Sequence, residues 1–583
     1  MTRSGKLTLS VSLLVALLAF GVVGWMMWSR TGSPEVYEPH PPGSLTFSNS
    51  IAPIVFEHCS GCHRPGESAP FSLLTYRDVE RRATQIQEVT RSRFMPPWLP
   101  EPGHGEFSGQ RSLSTDQIGR IQQWVAEGSV EGDASAMPPA PDRTEGWQLG
   151  EPDLVVKMVE PYTLASDGTD VFRNFIIPIT VPTTRYVRTF ELRPGNPRVV
   201  HHAQVRIDRA RSARHHDEQD TEPGFDGMQA TESLTTDGHL LGWTPGKLPY
   251  EGREDMAWRV DPGTDLVLQL HLLPSGKPEV IQSSIGLFFS DRPPTQTPVV
   301  LRLGSKTIDI PAGKTDYVIE DSYQLPVDVE VLGVYPHAHY LAQEMKAFAK
   351  LPDGTTQWLI WIQQWDFNWQ DEYRYSRPLF LPGGTKITMQ YTYDNSSSNV
   401  RNPHHPPRRV VYGPQSSDEM GELWIQVLPR KRFELTILKT SFVRKDRAGR
   451  AAGYRHALQL NPDDPQTHYD LGTVLSAKGH KEEAITHYRQ ALHLRPRYYE
   501  AHYNLGNALM AQEKPEEAIE HYRQALKIRP NFSGAHYNLG YLLARQGSLV
   551  EAAVHLEQVL QIQPDNAGAR SMLQRIRAQQ ADP

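Results

Sequence analysis

The feature that most constrains this chain is a fixed 34-residue step near its C-terminus. HYDLG at His468 to Gly472 returns as HYNLG at His502 to Gly506 and again at His536 to Gly540. Pro462, Pro496, Pro530 and Pro564 keep the same interval, and Ala484, Ala518 and Ala552 recur between them. A unit of this length holds two antiparallel helices, with a small residue where they approach and a proline closing each unit. Such a unit cannot bury its apolar face alone, so the repeats must stack as a solenoid. A plain helical bundle would not need Gly and Pro to stay in register.

This pattern resembles the tetratricopeptide repeat. The resemblance spans Pro465 to Pro564 as three full repeats, with a degenerate half from about Ala451 and a capping helix, giving an expected domain over 451–583. It implies a concave face that takes up a protein partner or mediates self-association.

The other 450 residues are too many for one hydrophobic core, so several domains are expected. Leu7–Ser29 carries no charge and is long enough to cross a bilayer needing about 20 residues. Arg3 and Lys6 flank it, which predicts a single-pass anchor over 1–30 with a cytoplasmic N-terminus. A cleaved signal peptide is the competing reading; the run is long for one, and no A-x-A site follows. Net charge is −7, with 60 basic and 67 acidic residues, so no nucleic-acid partner is expected.

The chain holds two cysteines, Cys59 and Cys62, followed by His63. No structural disulfide is expected, and a zinc-thiolate site lacks partners. The C-x-x-C-H spacing instead predicts covalent haem c: two thiols three apart for the thioether bonds, and His63 beneath the iron. Met95, in RFMPPW, is the candidate second axial ligand, a core methionine the alternative, and His104 the reserve. Helical periodicity around the motif predicts a small all-α haem domain over 45–133, which resembles the cytochrome c domains preceding copper monooxygenase-like domains in bacterial proteins. ASAMPPAPD, from Ala134 to Asp142, reads as a linker. Covalent haem and the anchor's charge agree on a bacterial inner-membrane protein with a periplasmic body.

From about Gly150 to Leu435, short alternating runs separated by Pro, Gly and Asp predict two all-β sandwich lobes, 150–292 and 297–435. Histidines stand out within them: His201 and His202, His271, and His337 with His339, together with Met420. Residues i and i+2 of a strand share a face, so His337 and His339 can converge on one ion, and a thioether makes a site soft enough for Cu(I). His201 and His202 are adjacent and would face opposite ways unless a bulge or strand end intervenes. An isolated H-x-H is ordinarily a surface feature. His215-His216 and His404-His405 are read that way.

The succession HH, LVLQLH, HAH and SSDEM resembles the copper type II, ascorbate-dependent monooxygenases, the family of peptidylglycine α-hydroxylating and dopamine β-monooxygenases. The resemblance covers about Asp153 to Leu428 and implies two separate copper ions. His201, His202 and His271 would hold the electron-transfer copper; His337, His339 and Met420 would hold the catalytic copper that meets O2. It further implies insertion of one oxygen atom of O2 into a C–H bond of an organic substrate, with electrons from ascorbate in the family; here the haem upstream is the expected donor. The region departs from secreted animal members in having no cysteine and no recognisable grip for their substrates. A haem and copper electron carrier that does not hydroxylate, or a periplasmic scaffold built on the repeats, are the rival readings.

Overall fold

The computed structural model describes residues 36–65, 67, 69–139, 146–227 and 234–581. The expected anchor lies outside them. Among the described residues no helix is long and apolar enough to cross a membrane. The chain divides into two compact units: one of Met1–Trp98, Gly109–Glu151 and Pro245–Pro249, the other of Leu99–Ser108, Pro152–Thr244 and Tyr250–Pro583.

The first unit is helical, with α1 (Ala52–His58), α2 (Tyr76–Glu80), α3 (Ala83–Arg91) and α4 (Thr115–Ala126). Capping boxes start two of them. Thr75 with Asp78, and Ser114 with Gln117, exchange side-chain and backbone hydrogen bonds at the N-termini of α2 and α4, satisfying donors that would otherwise be orphaned. The helices close on Phe47, Ile51, Val55, Phe56, Ile86, Ile121 and Trp124.

The second unit opens with β1 (Leu154–Lys157), β2 (Tyr162–Leu164), β3 (Val171–Pro178), β4 (Arg185–Arg193), β5 (Val200–Asp208), β6 (Phe225–Asp226), β7 (Gly242–Trp243), β8 (Trp258–Val260), β9 (Asp265–Leu272), β10 (Glu279–Ile281) and β11 (Ser284–Ser290). The order β6-β3-β9-β5-β7 makes one antiparallel sheet and β1-β11-β4-β8 another. Their inner faces share one core, in which Leu266, Leu268, Leu270 and Leu272 of β9 meet Val187, Val260, Ile285 and Leu287. Because side chains alternate, those four leucines force Gln269 and His271 onto the opposite face.

The second β-region continues with β12 (Val299–Gly304), β13 (Asp309–Ile310), β14 (Tyr317–Gln324), β15 (Val329–Ala338), β16 (Ala342–Lys350), β17 (Thr356–Ile362), β18 (Tyr373–Leu381), β19 (Lys386–Tyr393), β20 (Val410–Val411) and β21 (Gly421–Pro429). Sheets β12-β21-β15-β18 and β14-β19-β16-β17 are its main layers. Tyr391 and Tyr393 of β19 link them, their hydroxyls donating to the carbonyls of Glu422 and Met420 at 3.0 and 2.9 Å. With two small sheets, the β-rich stretch holds six among the described residues.

Helix α5 (Glu434–Leu460) begins ahead of residue 451, where the repeat pattern starts. Its first half lacks the Gly and Pro register and docks on β12 and β14 instead, through Lys445 on Asp321 and Asp446 on Arg302. Then come α6 (Pro465–Ala477), α7 (Lys481–Leu494), α8 (Tyr499–Met510), α9 (Pro515–Ile528), α10 (Ser533–Arg545), α11 (Leu549–Ile562) and α12 (Ala567–Ala581). The motif glycines are explained by close approach. A Cβ on Gly472 or Gly506 would fall 2.8 or 2.7 Å from the ring of Tyr488 or Tyr522 on the paired helix.

Each repeat also carries a histidine staple. His468, His502 and His536 donate from Nε2 to the carbonyls of Pro462, Pro496 and Pro530 at 3.0, 3.1 and 2.8 Å. Their Nδ1 atoms then accept from Nδ1 of His487, His521 and His555 at 2.9, 3.0 and 2.9 Å. One proton satisfies each pair.

Candidate metal centre

The first histidine group is built by an irregularity. Along β5 and β9, Val200 lies opposite Leu272 and His202 opposite His271, leaving His201 as an extra residue at a register shift. That bulge removes the alternation that would separate His201 from His202. Both rings reach the same place as His271, and the three residues form a group able to hold a metal ion.

The Nδ1 atoms converge: His201 to His271 is 3.1 Å, His201 to His202 is 3.2 Å and His202 to His271 is 3.4 Å. Protons alone cannot satisfy this triangle. With one proton, two lone pairs face each other; with two, two N–H groups do. A cation at the centre relieves all three contacts at once. The centre lies about 1.9 Å from each nitrogen (edge divided by √3), near the roughly 2.0 Å of a metal–imidazole bond.

The surroundings prepare His271 for that role. Its Nε2–H donates to Asp170 at 2.8 Å, which leaves Nδ1 as a lone pair. Phe172 stacks on the ring at 4.0 Å and 8°. Burial alone would raise the Asp170 pKa, yet hydrogen bonds from His271 and Ser416 and attraction to His271 hold it below its ordinary value. Burial pushes the His201 pKa down to about 3 and that of His202 well below normal, reinforced by neighbouring histidines. These imidazoles are neutral, as ligands must be.

The second group lies at the end of β15. His337 is opposite Glu422 of β21, and Ala338, the last residue of the strand, is opposite Gly421. His339 follows just beyond the strand, its ring 5.4 Å from that of His337, and Met420 immediately precedes β21. His337 Nδ1–H donates to Gln370 Oε1 at 2.5 Å, and Gln370 is itself oriented by donating to the Phe367 carbonyl. His339 Nδ1–H donates to the Asp418 carbonyl at 3.2 Å. Both rings therefore keep Nε2 for a metal, the reverse of the first group. Burial pushes the His339 pKa down to about 3 and also lowers that of His337.

Glu419 fixes the backbone of this group. Its carboxylate, fully buried, accepts from the N–H groups of His339, Leu341 and Met420 at 2.5, 2.9 and 2.8 Å. Burial pushes its pKa up to about 8 against the pull of those three donors. Asp170, Gln370, Glu419 and Phe367 were not singled out by sequence reasoning. Glu419 stood inside the SSDEM string, while nothing local distinguished the other three.

The two pairs read as surface features make ordinary polar contacts. His404 donates to the Ser417 carbonyl at 3.0 Å, and His215 meets Gln219 at 2.9 Å.

In the helical unit, Cys59, Cys62 and His63 form one turn: the amides of Cys62 and His63 donate to the Cys59 carbonyl at 3.2 and 3.0 Å. His63 Nδ1–H donates to the Phe71 carbonyl at 3.2 Å, leaving Nε2 for an axial bond. Burial pushes the Cys59 thiol up to about 12. These residues fit a covalently held haem. Gly246 packs on this turn, where an added Cβ would lie 2.3 Å from Cys62 Sγ, and its carbonyl accepts from Arg111 at 2.9 Å. Met95 is half-buried just after α3, its N–H donating to the Val89 carbonyl. His104, the reserve ligand, belongs to the other unit, with its ring edge-on to Trp358 and Trp361 at 4.9 and 4.6 Å.

Two family models, both described as tetratricopeptide repeat, match residues 469–531 and 509–576. The C-terminal region is therefore a tetratricopeptide-repeat solenoid. No curated protein matches the chain. Among solved structures, MamA is 22% identical, with 24% of this chain and 81% of that chain covered and a TM-score of 0.23. The first repeat domain of Spaghetti (RPAP3), bound to an HSP90 peptide, is 22% identical, with coverages of 20% and 93% and a TM-score of 0.20. YrrB, a repeat protein with an unusual peptide-binding site, is 25% identical, with coverages of 24% and 75% and a TM-score of 0.22.

Proposed function

We propose that the chain is a copper-dependent monooxygenase that converts R–H, O2, two electrons and two protons into R–OH and water, the electrons arriving through a fused c-type haem. The observation that carries this reading is the convergence of three Nδ1 atoms within 3.1 to 3.4 Å beside a second histidine group of opposite presentation. His201, His202 and His271 would hold one copper; His337, His339 and Met420 the other. The two β-regions correspond to the sandwich lobes of the copper type II family that the ligand order resembles. Bound copper would supply one-electron redox chemistry and activate dioxygen.

The protein's own residues supply orientation and dryness. Asp170 and Gln370 fix the tautomers of His271 and His337, and Glu419 holds His339 and Met420 in one frame. Phe367, 1% exposed, lies against His201 and His339 at 4.8 and 5.8 Å between ring centroids and sets one apolar ring beside both groups. Cys59, Cys62, His63 and Met95 would hold the haem, which would supply electrons one at a time. The body is assigned to the periplasm, anchored through Leu7–Ser29, with the repeats holding a protein partner.

Metal analysis with a visible spectrum of the purified protein, followed by mass spectrometry of candidate substrates incubated with labelled O2, tests the reading. One haem, two coppers and a product carrying the label are expected. Redox cycling without labelled product would instead make the chain an electron carrier.

A further inference from the structure

The two histidine groups are not far apart. His202 of β5 and His337 of β15 face each other with ring centroids 6.3 Å apart at 74°. His202 is at the same time 4.9 Å from His271, and His337 is 5.4 Å from His339, so the five rings form one continuous cluster. Phe367 spans it, lying 4.8 Å from His201, 6.0 Å from His271 and 5.8 Å from His339.

The β-regions are pinned at this separation by direct bonds. Gln426 donates to the Gly238 carbonyl at 3.0 Å, and Arg374 donates to the Leu240 carbonyl at 3.4 Å. Asp170, which orients His271 of the first group, is also hydrogen-bonded by Ser416, close in sequence to Met420 of the second.

We infer that the trio and the pair together form a single coupled two-metal centre, in place of the two separate ions of the family that the ligand order resembles. The inference rests on the copper reading above. The closest approach between the two groups is that of the His202 and His337 rings.

Stepwise loading of the full chain with Cu(II), followed by metal analysis and electron paramagnetic resonance, tests this without any turnover. The first equivalent should give an isolated-copper signal. The second should broaden or abolish that signal and bring up a half-field transition, with the integrated spin well below the copper count. In His339→Ala, the half-field transition should vanish while the isolated signal stays. Two sharp, independent signals integrating to the full copper content would overturn the coupling and leave the copper reading standing. A copper content that never reaches two per chain would overturn the copper reading and the inference with it.

Discussion

The chain uses imidazole–imidazole contacts in two regions with opposite results. In each helical repeat, two histidines meet at 2.9 to 3.0 Å through Nδ1, the outer nitrogen of the first is bound to a proline carbonyl, and one shared proton completes the staple. On β5 and β9, three histidines meet at nearly the same distances. Two rings are content with a proton; three are not, since one contact always sets like against like. The number of rings decides whether protons alone can satisfy a histidine cluster.

The largest effect is expected from turning the triangle into a pair. His271→Ala should leave His201 and His202 with one shared proton and abolish tight copper binding at the trio, while the pair keeps its metal. Equilibrium dialysis reads this directly as one copper per chain in place of two. Unchanged stoichiometry would mean that the triangle is not the site.

Glu419→Ala should act next most strongly. It leaves three buried N–H groups without an acceptor, each costing about 1–3 kcal/mol. Calorimetry should show a lower melting temperature, and copper should be lost from the group containing His339 and Met420 before the trio. Equal loss from both groups would show that Glu419 supports the whole β-rich stretch rather than one set of ligands.

Asp170→Asn tests the tautomer argument more gently. An amide can turn its NH2 toward His271 Nε2 and invert the ring's protonation, so copper affinity at the trio should fall by about 10- to 100-fold with the fold intact. An unaltered affinity would remove Asp170 from the account.

The smallest effect belongs to the staples. Burial lowers the pKa values of His487, His502, His521 and His555 in the folded solenoid. The fold therefore holds their neutral forms, and its stability is full above the unfolded imidazole pKa of about 6.5 and falls as pH drops below it. Thermal unfolding followed by circular dichroism should show the helical transition moving down between about pH 7.5 and about pH 5. His521→Phe should shrink that shift by one staple, worth about 0.5–1.5 kcal/mol.

Much of this was legible in the chain itself because it depends on local spacing. The 34-residue step specified the helical repeats, since each helix pair sees only its neighbours. C-x-x-C-H placed two thiols and an imidazole on one turn, and H-x-H placed two imidazoles side by side at a strand end. The condition for His201 and His202 to share a metal, a bulge, was also readable as a requirement.

Whether that bulge exists is a matter of register between β5 and β9, whose paired histidines are 69 residues apart in sequence. Spacing along one strand says nothing about its partner. The same holds for Asp170, Gln370 and Glu419, which act across 101, 33 and 80 residues on the atoms they orient. It holds also for Phe367 and for the 6.3 Å between His202 and His337, which require two separately folded sheets to be brought face to face. Local spacing therefore specifies which chemical groups the molecule possesses and the turn, strand or helix that carries each. Which ring nitrogen each histidine presents, and whether two histidine groups become one cluster, follows from packing, because hydrogen-bond partners and desolvation are set by residues distant along the chain.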